Sequence, residues 1–163
     1  MMQEDLIKRA EQRVDELAPE IRSVSHTIFE NPELAFQEFQ SAELLENTVK
    51  AHGFTAVRGT GELQTAIRAE HKPRSDALNI GFISEFDALP NGHACGHNLI
   101  AASGVWAAIV FDELVCQCDL PANSIFLGTP AEEGGGGKIR MLDAGMFDGI
   151  DYAMMIHPCD STM

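Results

Sequence analysis

Basic residues are scarce in this sequence. Of its 163 residues, 11 are Lys or Arg and 25 are Asp or Glu, which gives a formal net charge of -14. A surface this acidic repels phosphate backbones, so we expect no nucleic-acid partner. No run of about 18 apolar residues occurs, so we also expect no membrane partner. The N-terminal stretch MMQEDLIKRAEQRVDEL lacks the apolar segment of a signal peptide, which favours a cytoplasmic location.

Cysteine is also sparse. The sequence has 4 cysteines and no C-x-x-C pair, so neither a zinc-finger framework nor a disulfide scaffold is expected. Cys116 and Cys118, in VCQCD, are interpreted as two thiols at a helix end. A phosphate-binding Walker motif is missing as well. Backbone amides of the glycine run at 134–137 suit phosphate, but Ile139 follows Lys138 where that motif needs Ser or Thr.

The apolar pattern predicts an α/β fold with a mixed, largely parallel sheet and helices on both faces. Helical spacing runs from Leu6 to Ile28, and Pro19 within it predicts a kink or a second helix starting nearby. The other predicted elements are helices at about 38–51, 99–114 and 137–147, and strands at 54–58, 63–70, 78–86, 123–130 and 151–158.

Unusual polar residues follow three of the predicted strands, in SEFDALP, GTPAEEGGGGK and MMIHP. In open α/β sheets, sites gather just outside the carboxyl ends of the strands. A fourth segment, NGHACGHNL at 91–99, contains two histidines and a cysteine. The convergence of these four segments predicts a functional site at one edge of the sheet.

The residue types in these segments favour a metal. Cys95 and His97 alternate in their loop, so both can reach one cation, and thiolate and imidazole bind zinc and similar metals well. The dipole of the following helix would favour a thiolate at Cys95. The adjacent Glu132 and Glu133 repel each other unless a cation lies beside them. One can then bind the metal while the other acts as general base toward water.

Each segment also has a plain structural interpretation. The His/Cys loop is consistent with a tight turn, the Glu-Glu pair with a solvated surface, and His157 with a structural histidine at a strand end. Asp87 is consistent with a turn or a helix cap. A thiol enzyme is a further alternative, with Cys95 as nucleophile and His93 or His97 as its base. That alternative leaves the Glu-Glu pair without a role.

Five motifs resemble metallopeptidase family twenty, in its amidohydrolase subgroup of aminoacylases, indole-acetyl-amino-acid hydrolases and aminobenzoyl-glutamate hydrolases. The motifs span nearly the whole chain in the order ENPELAFQE, EFDALP, GHACGHNL, PAEEGGGGK and IHP. Asn98 and GGGGK are most similar to a narrower group, the dipeptidases of β-alanyl-lysine and Xaa-Arg type.

The resemblance implies a zinc-exopeptidase-like catalytic domain with two divalent metal ions. Zinc is the first expectation, with manganese and cobalt as alternatives. The implied metal ligands are Cys95, His97, Glu133 and His157. Glu132 would be the general base, and Asp87 would hold a ligand in place. The implied substrate is a small molecule, a dipeptide or N-acyl amino acid, whose amide bond is hydrolysed.

The resemblance further implies that residues 1–163 are the N-terminal portion of the catalytic domain. The lid or dimerisation domain and the C-terminal part, which carries a last histidine ligand, would be absent. We therefore expect little or no turnover from this stretch alone, and we expect full-length relatives to be homodimers. The alternative is a non-catalytic, truncated remnant that acts as a binding or interaction domain.

Overall fold

The structure, a computed structural model, describes residues 3–60, 62–71 and 74–159. Its strands are β1 (Thr55–Thr60), β2 (Leu63–Glu70), β3 (Leu78–Glu85), β4 (Ala122–Thr129) and β5 (Tyr152–Met154). Its helices are α1 (Gln3–Glu30), α2 (Phe39–Ala51), α3 (His97–Cys118), α4 (Glu132–Gly135) and α5 (Gly137–Asp143).

The five strands form one mixed sheet in the order β1-β2-β4-β3-β5. The pairs β1/β2 and β2/β4 are antiparallel, whereas β4/β3 and β3/β5 are parallel. The expected mixed sheet is confirmed, and its parallel part is the half around β3. Glu85 at the end of β3 lies opposite Thr129 at the end of β4. The carboxyl ends of β3, β4 and β5 therefore share one edge.

Both faces of the sheet are covered, as the sequence predicts. Successive strand residues point to opposite faces. On β4, Phe126 enters a large core formed with α1, α2 and α3. Its neighbours Ile125 and Leu127 enter a smaller core that includes Met141 of α5. The central strand thus joins two apolar layers.

The helix α3 is the core helix of the larger layer. It is long and apolar enough to cross a membrane by length and composition, but most of it packs against β3, β4 and α1. Gly104 lies where the helix crosses β3. A Cβ at this position would overlap Ser84 Oγ and the Ile83 carbonyl oxygen. A residue without a side chain is therefore what lets α3 lie this close to the strand that leads into the polar edge.

The helix α4 was not predicted, and α5 ends at Asp143 rather than 147. Two further elements also differ from the sequence prediction. No second helix begins at Pro19, because α1 continues through it. Proline removes only one backbone donor, and Leu17 and Val24 anchor the helix in the core on either side. The last strand is three residues long rather than eight, and only Tyr152–Met154 pairs with β3. His157 therefore follows the strand on irregular, exposed backbone instead of ending it.

Replacing Gly104 with alanine tests the close helix–strand contact. We expect Gly104→Ala to lower the free energy of unfolding by about 1–3 kcal/mol, because the added methyl group forces α3 away from β3. Urea unfolding followed by circular dichroism measures the change. The exposed neighbour Ser103 provides the control, and a Ser103→Ala loss as large as that of Gly104→Ala would contradict the packing argument.

Candidate metal centre

His97 is the centre of a cluster at the carboxyl edge of the sheet. It begins α3 and is 1% exposed. Its Nε2 lies 3.5 Å from Glu85 Oε2, 3.6 Å from Glu133 Oε1 and 3.9 Å from Glu132 Oε2. Glu85 is the last residue of β3, and the other two carboxylates belong to α4 after β4. The predicted convergence of strand ends is thus present at the level of side-chain atoms.

Asp87 orients the imidazole of His97. The Nδ1–H of His97 donates to the backbone oxygen of Asp87 at 2.9 Å and to its Oδ1 at 3.1 Å. Because both partners are acceptors, Nδ1 carries the proton, and the remaining Nε2 faces the three carboxylates. The second oxygen, Oδ2, accepts the backbone N–H of Glu133 at 2.9 Å. One buried carboxylate therefore sets the positions of both His97 and Glu133.

The mutual attraction of this pair changes both of their pKa values. Burial acts to raise the pKa of Asp87, but hydrogen bonds from His97 and from the α4 backbone outweigh it and lower that pKa. Burial likewise acts to lower the pKa of His97, but the hydrogen bond and charge of Asp87 outweigh it and raise that pKa. In the absence of a metal, His97 is therefore held toward its protonated form among carboxylates.

The donor atoms fit a divalent cation. Within the described residues, His97 Nε2 and Glu85 Oε2 are buried and have no hydrogen-bond partner. Buried polar atoms left in this state are costly, and three anionic oxygens within 4 Å of one nitrogen call for positive charge. Imidazole and carboxylate oxygens are ligands that zinc and manganese accept. A cation among these atoms would satisfy all of them.

Cys95 lies in the turn before α3, half-buried and beside the Glu-Glu pair. Hydrogen bonding to Glu133 and burial raise the pKa of its thiol to about 11, and the charges of Glu132 and Asp87 add to the shift. The dipole of α3 alone predicts a thiolate here. In the structure the neighbouring carboxylates outweigh that dipole, so the metal-free thiol is protonated at neutral pH and becomes a thiolate ligand only by losing that proton.

His157 approaches the same cluster from β5. Its ring lies 5.8 Å from that of His97, edge to face, and it offers a ligand atom near those of Glu85 and His97. Its Nδ1 lies 2.7 Å from the Pro158 carbonyl oxygen, which leaves Nε2 for a ligand role. Gly96 permits this approach, because a Cβ there would lie 2.9 Å from Pro158 Cγ.

Glu85 is the side chain that sequence reasoning missed. It is 2% exposed, and its Oε1 pairs with the ammonium group of Lys138 while Oε2 faces His97. The signal that could have found it is its spacing from Asp87, because residues two apart in an extended strand share a face. The sequence pattern assigns Lys138 no role of its own, because Ile139 after it breaks the phosphate-binding motif. In the structure it is the counterion of a buried carboxylate instead.

A second buried carboxylate, Glu38, fixes the loop that carries the Glu-Glu pair. Its Oε1 accepts the backbone N–H groups of Phe36 and Ala131, each at 2.9 Å, and Oε2 accepts the Thr65 hydroxyl at 2.9 Å. Phe36 and Ala131 both have positive φ, 66° and 56°, a region that costs energy for a residue with a side chain. Burial raises the pKa of Glu38, and its hydrogen bonds only partly offset that rise.

The glycine run after the Glu-Glu pair serves packing. A Cβ at Gly135 would overlap the Phe36 ring, and one at Gly137 would overlap the Pro130 carbonyl oxygen. These glycines let the chain turn tightly behind Glu132 and Glu133. No observation in the described residues supports the phosphate-binding alternative.

An open cavity of about 730 Å³ adjoins the cluster. Cys95 and His157 line its side next to the metal ligands, and Phe29 and Leu99 supply apolar walls. His93 lies on the same wall, 8% exposed, and neither of its ring nitrogens has a hydrogen-bond partner among the described side chains. The cavity thus offers room for a small molecule directly beside the candidate centre.

The sequence of this chain is similar to those of known peptidases and amide hydrolases. A family model described as peptidase family M20/M25/M40 matches residues 75–163. The Xaa-Arg dipeptidase of Mus musculus is 41% identical over 94% of this chain and 38% of its own length. One subunit of the p-aminobenzoyl-glutamate hydrolase of Escherichia coli is 32% identical over 95% of this chain and 34% of its own length.

A solved structure shares the fold. The YXEP protein of Bacillus subtilis, described as a dinuclear metal binding peptidase, superposes with a TM-score of 0.75 at 25% identity. The match covers 85% of this chain and 42% of that one. The α/β fold of this chain is therefore shared with a protein described as a metal-binding peptidase.

The chain belongs to peptidase family M20/M25/M40, since the family match covers more than half of its residues. The expected family resemblance is confirmed, as is the expected similarity to Xaa-Arg dipeptidases. The chain spans only 38% and 39% of the length of the mouse and human Xaa-Arg dipeptidases.

Removing the Glu38 carboxylate tests its role in the Glu-Glu loop. We expect Glu38→Ala to lower the free energy of unfolding by at least about 2 kcal/mol, because it leaves the buried N–H of Ala131, the part-buried N–H of Phe36 and the buried Thr65 hydroxyl without their acceptor. Denaturant unfolding measures the change. Glu43→Ala, on the exposed side of α2, is the matched control. Equal stability of the two variants would show that Glu38 does not hold the loop.

Proposed function

We propose that this chain supplies the metal-binding centre of a hydrolase that cleaves the amide bond of dipeptides or N-acyl amino acids. The observation that carries the proposal is the buried His97 Nε2, which faces three carboxylate oxygens at 3.5–3.9 Å and has no hydrogen-bond partner in the described chain. The names of relatives that act on such substrates support it.

The proposed ligands are Cys95, His97, Glu133 and His157, with Glu85 as a further carboxylate at the same point. The thiol and imidazole donors favour zinc, and the carboxylates also suit manganese or cobalt. A two-metal centre is proposed by similarity to the dinuclear YXEP protein. When bound, such metals would polarise the amide carbonyl and lower the pKa of water.

Glu132 is the proposed general base. Its side chain is 40% exposed, whereas that of Glu133 is 21% exposed and its backbone N–H is held by Asp87. The more accessible carboxylate can take a proton from the attacking water and deliver it to the leaving amine. Asp87 keeps His97 in the tautomer whose Nε2 faces the reacting edge. The adjoining cavity is the proposed substrate pocket.

The thiol-enzyme alternative has less support. A cysteine nucleophile needs a lowered pKa, whereas the carboxylates beside Cys95 raise the pKa of its thiol to about 11. A metal ion that binds the thiol can displace its proton, so the raised pKa of the metal-free thiol leaves the ligand role open. This difference favours Cys95 as a metal ligand over Cys95 as a nucleophile.

Zinc affinity of the chain should rise with pH. The pKa of Cys95 is raised to about 11 and that of His97 above its ordinary 6.5, and both must lose a proton to bind metal. Each proton released adds about tenfold in affinity per pH unit. Competition with a chromophoric chelator measures this dependence. Cys95→Ser should reduce the slope of log zinc affinity against pH by one proton, and Cys118→Ser should leave that slope unchanged. A slope indifferent to Cys95 would remove it from the ligand set.

A complementation assay distinguishes the proposed general base, Glu132, from the proposed metal ligand, Glu133. This chain is co-expressed with the part of the mouse Xaa-Arg dipeptidase that it does not match, and hydrolysis of a dipeptide ending in arginine is followed. Glu132→Gln should keep its metal and lower kcat by about 10²–10⁴-fold. Glu133→Gln should lose metal. Glu43→Gln, remote from the centre, is the control.

The metal content of the chain by itself decides between the proposal and an interaction domain. Bound zinc or manganese that falls by at least one equivalent in Glu133→Gln supports the proposal, even if complementation fails. A chain that binds no divalent metal at micromolar concentration would contradict it and favour a non-catalytic binding domain.

A further inference from the structure

We propose a separate zinc site, formed by His71, Asp112 and Cys116, at the opposite end of α3 from His97. The Nδ1 of His71 lies 2.6 Å from Asp112 Oδ2, and Cys116 Sγ lies 4.0 Å from the same oxygen. All three candidate ligand atoms lie within 4.8 Å of one another. None of the three residues takes part in the proposed hydrolytic function.

The helix α3 and the end of β2 hold these three side chains close together. Asp112 and Cys116 are four residues apart on α3, so their side chains lie one above the other on one face of the helix. His71 directly follows β2 and points to that face from the sheet. Its ring also packs against Phe54, with the ring centroids 5.8 Å apart. Two ligands therefore come from a rigid helix and the third from a packed ring.

The distances are close to those of a tetrahedral zinc site. Zinc binds nitrogen and carboxylate oxygen at about 2.0–2.2 Å and sulfur at about 2.3 Å, which separates ligand atoms by about 3.3–3.7 Å. To reach these values, the distance from His71 Nδ1 to Asp112 Oδ2 would lengthen by less than about 1 Å. The distance from Cys116 Sγ to the same oxygen would shorten by about half that amount. Zn²⁺ would replace the hydrogen bond between His71 and Asp112 and release the thiol proton of Cys116 to solvent.

Burial completes the fit. Asp112 is 5% exposed, so a low-dielectric environment surrounds the carboxylate that both His71 and Cys116 contact. Cys116 is exposed, so an ion can enter from solvent on that side and water can take the fourth position. Imidazole, carboxylate and thiolate together select zinc over magnesium or calcium, which prefer oxygen ligands alone.

The site is independent of the candidate hydrolytic centre. His97 and Asp112 are 15 residues apart on α3, which is about 22 Å at about 1.5 Å per residue, so no side chain reaches both clusters. Loss of metal from one cluster therefore leaves the other intact, and the two can be tested separately.

Cobalt titration of the full 163-residue chain tests the proposal, because a thiolate bound to Co²⁺ gives an ultraviolet charge-transfer absorption. The parent is Cys95→Ser, which removes the thiol of the hydrolytic centre. We expect this parent to keep the absorption and Cys116→Ser within it to lose the absorption. His71→Gln should weaken cobalt affinity at least tenfold. Cys118→Ser and Cys159→Ser, which alter the other two thiols, should leave the charge-transfer absorption unchanged.

Zinc stoichiometry provides a second measurement that does not depend on the Cys95→Ser parent. Elemental analysis after dialysis against micromolar Zn²⁺ should show one equivalent fewer in Cys116→Ser than in the wild-type chain. Cys118→Ser should match the wild type. Equal zinc content in the wild-type chain and Cys116→Ser, or cobalt absorption retained without Cys116, would overturn the proposal. Either result would leave His71, Asp112 and Cys116 as a hydrogen-bonded cluster only.

Discussion

The carboxylate of Asp87 is the contact on which the candidate centre depends. One of its oxygens accepts the Nδ1 proton of His97, and the other accepts the backbone N–H of Glu133. The two partners come from different segments, the start of α3 and the loop after β4. A single buried anion thus brings an imidazole and a carboxylate to the same point and fixes the direction in which each faces. Lys138 balances part of the negative charge through Glu85.

Hydrogen bonds of two further glutamates, Glu33 and Glu38, hold the loops around that contact. Glu38 ties the segment before α2 to the residue that precedes the Glu-Glu pair. Glu33 in the same segment accepts the backbone N–H groups of Gln40 and Ser41 at the start of α2, and its own carbonyl oxygen binds the N–H of Ala88. The ENPELAFQE stretch contributes no atom to the centre, yet it positions the two loops that do.

Much of this arrangement was predictable from sequence because it rests on local pattern. Apolar periodicity locates the core helix and the central strands, and the rule that sites gather at strand ends brings the His/Cys loop and the Glu-Glu pair together. The pairing of Glu85 with Lys138 and the role of Glu38 were not predictable in this way, since each joins residues far apart in the chain. The balance at Cys95 in the metal-free chain was not predictable for the same reason: the helix dipole is local, whereas Glu133, which raises the pKa of the thiol, follows another strand.

The ion pair of Lys138 with the buried Glu85 bears on the order in which the protein is assembled. A centre made only of carboxylates would repel itself until metal arrived, and folding would then wait for the metal, as it does in small zinc domains. Here the chain carries a positive charge of its own into the anionic edge, and His97 can hold a proton there as well. The polypeptide can therefore acquire the shape of the proposed centre before any metal binds there.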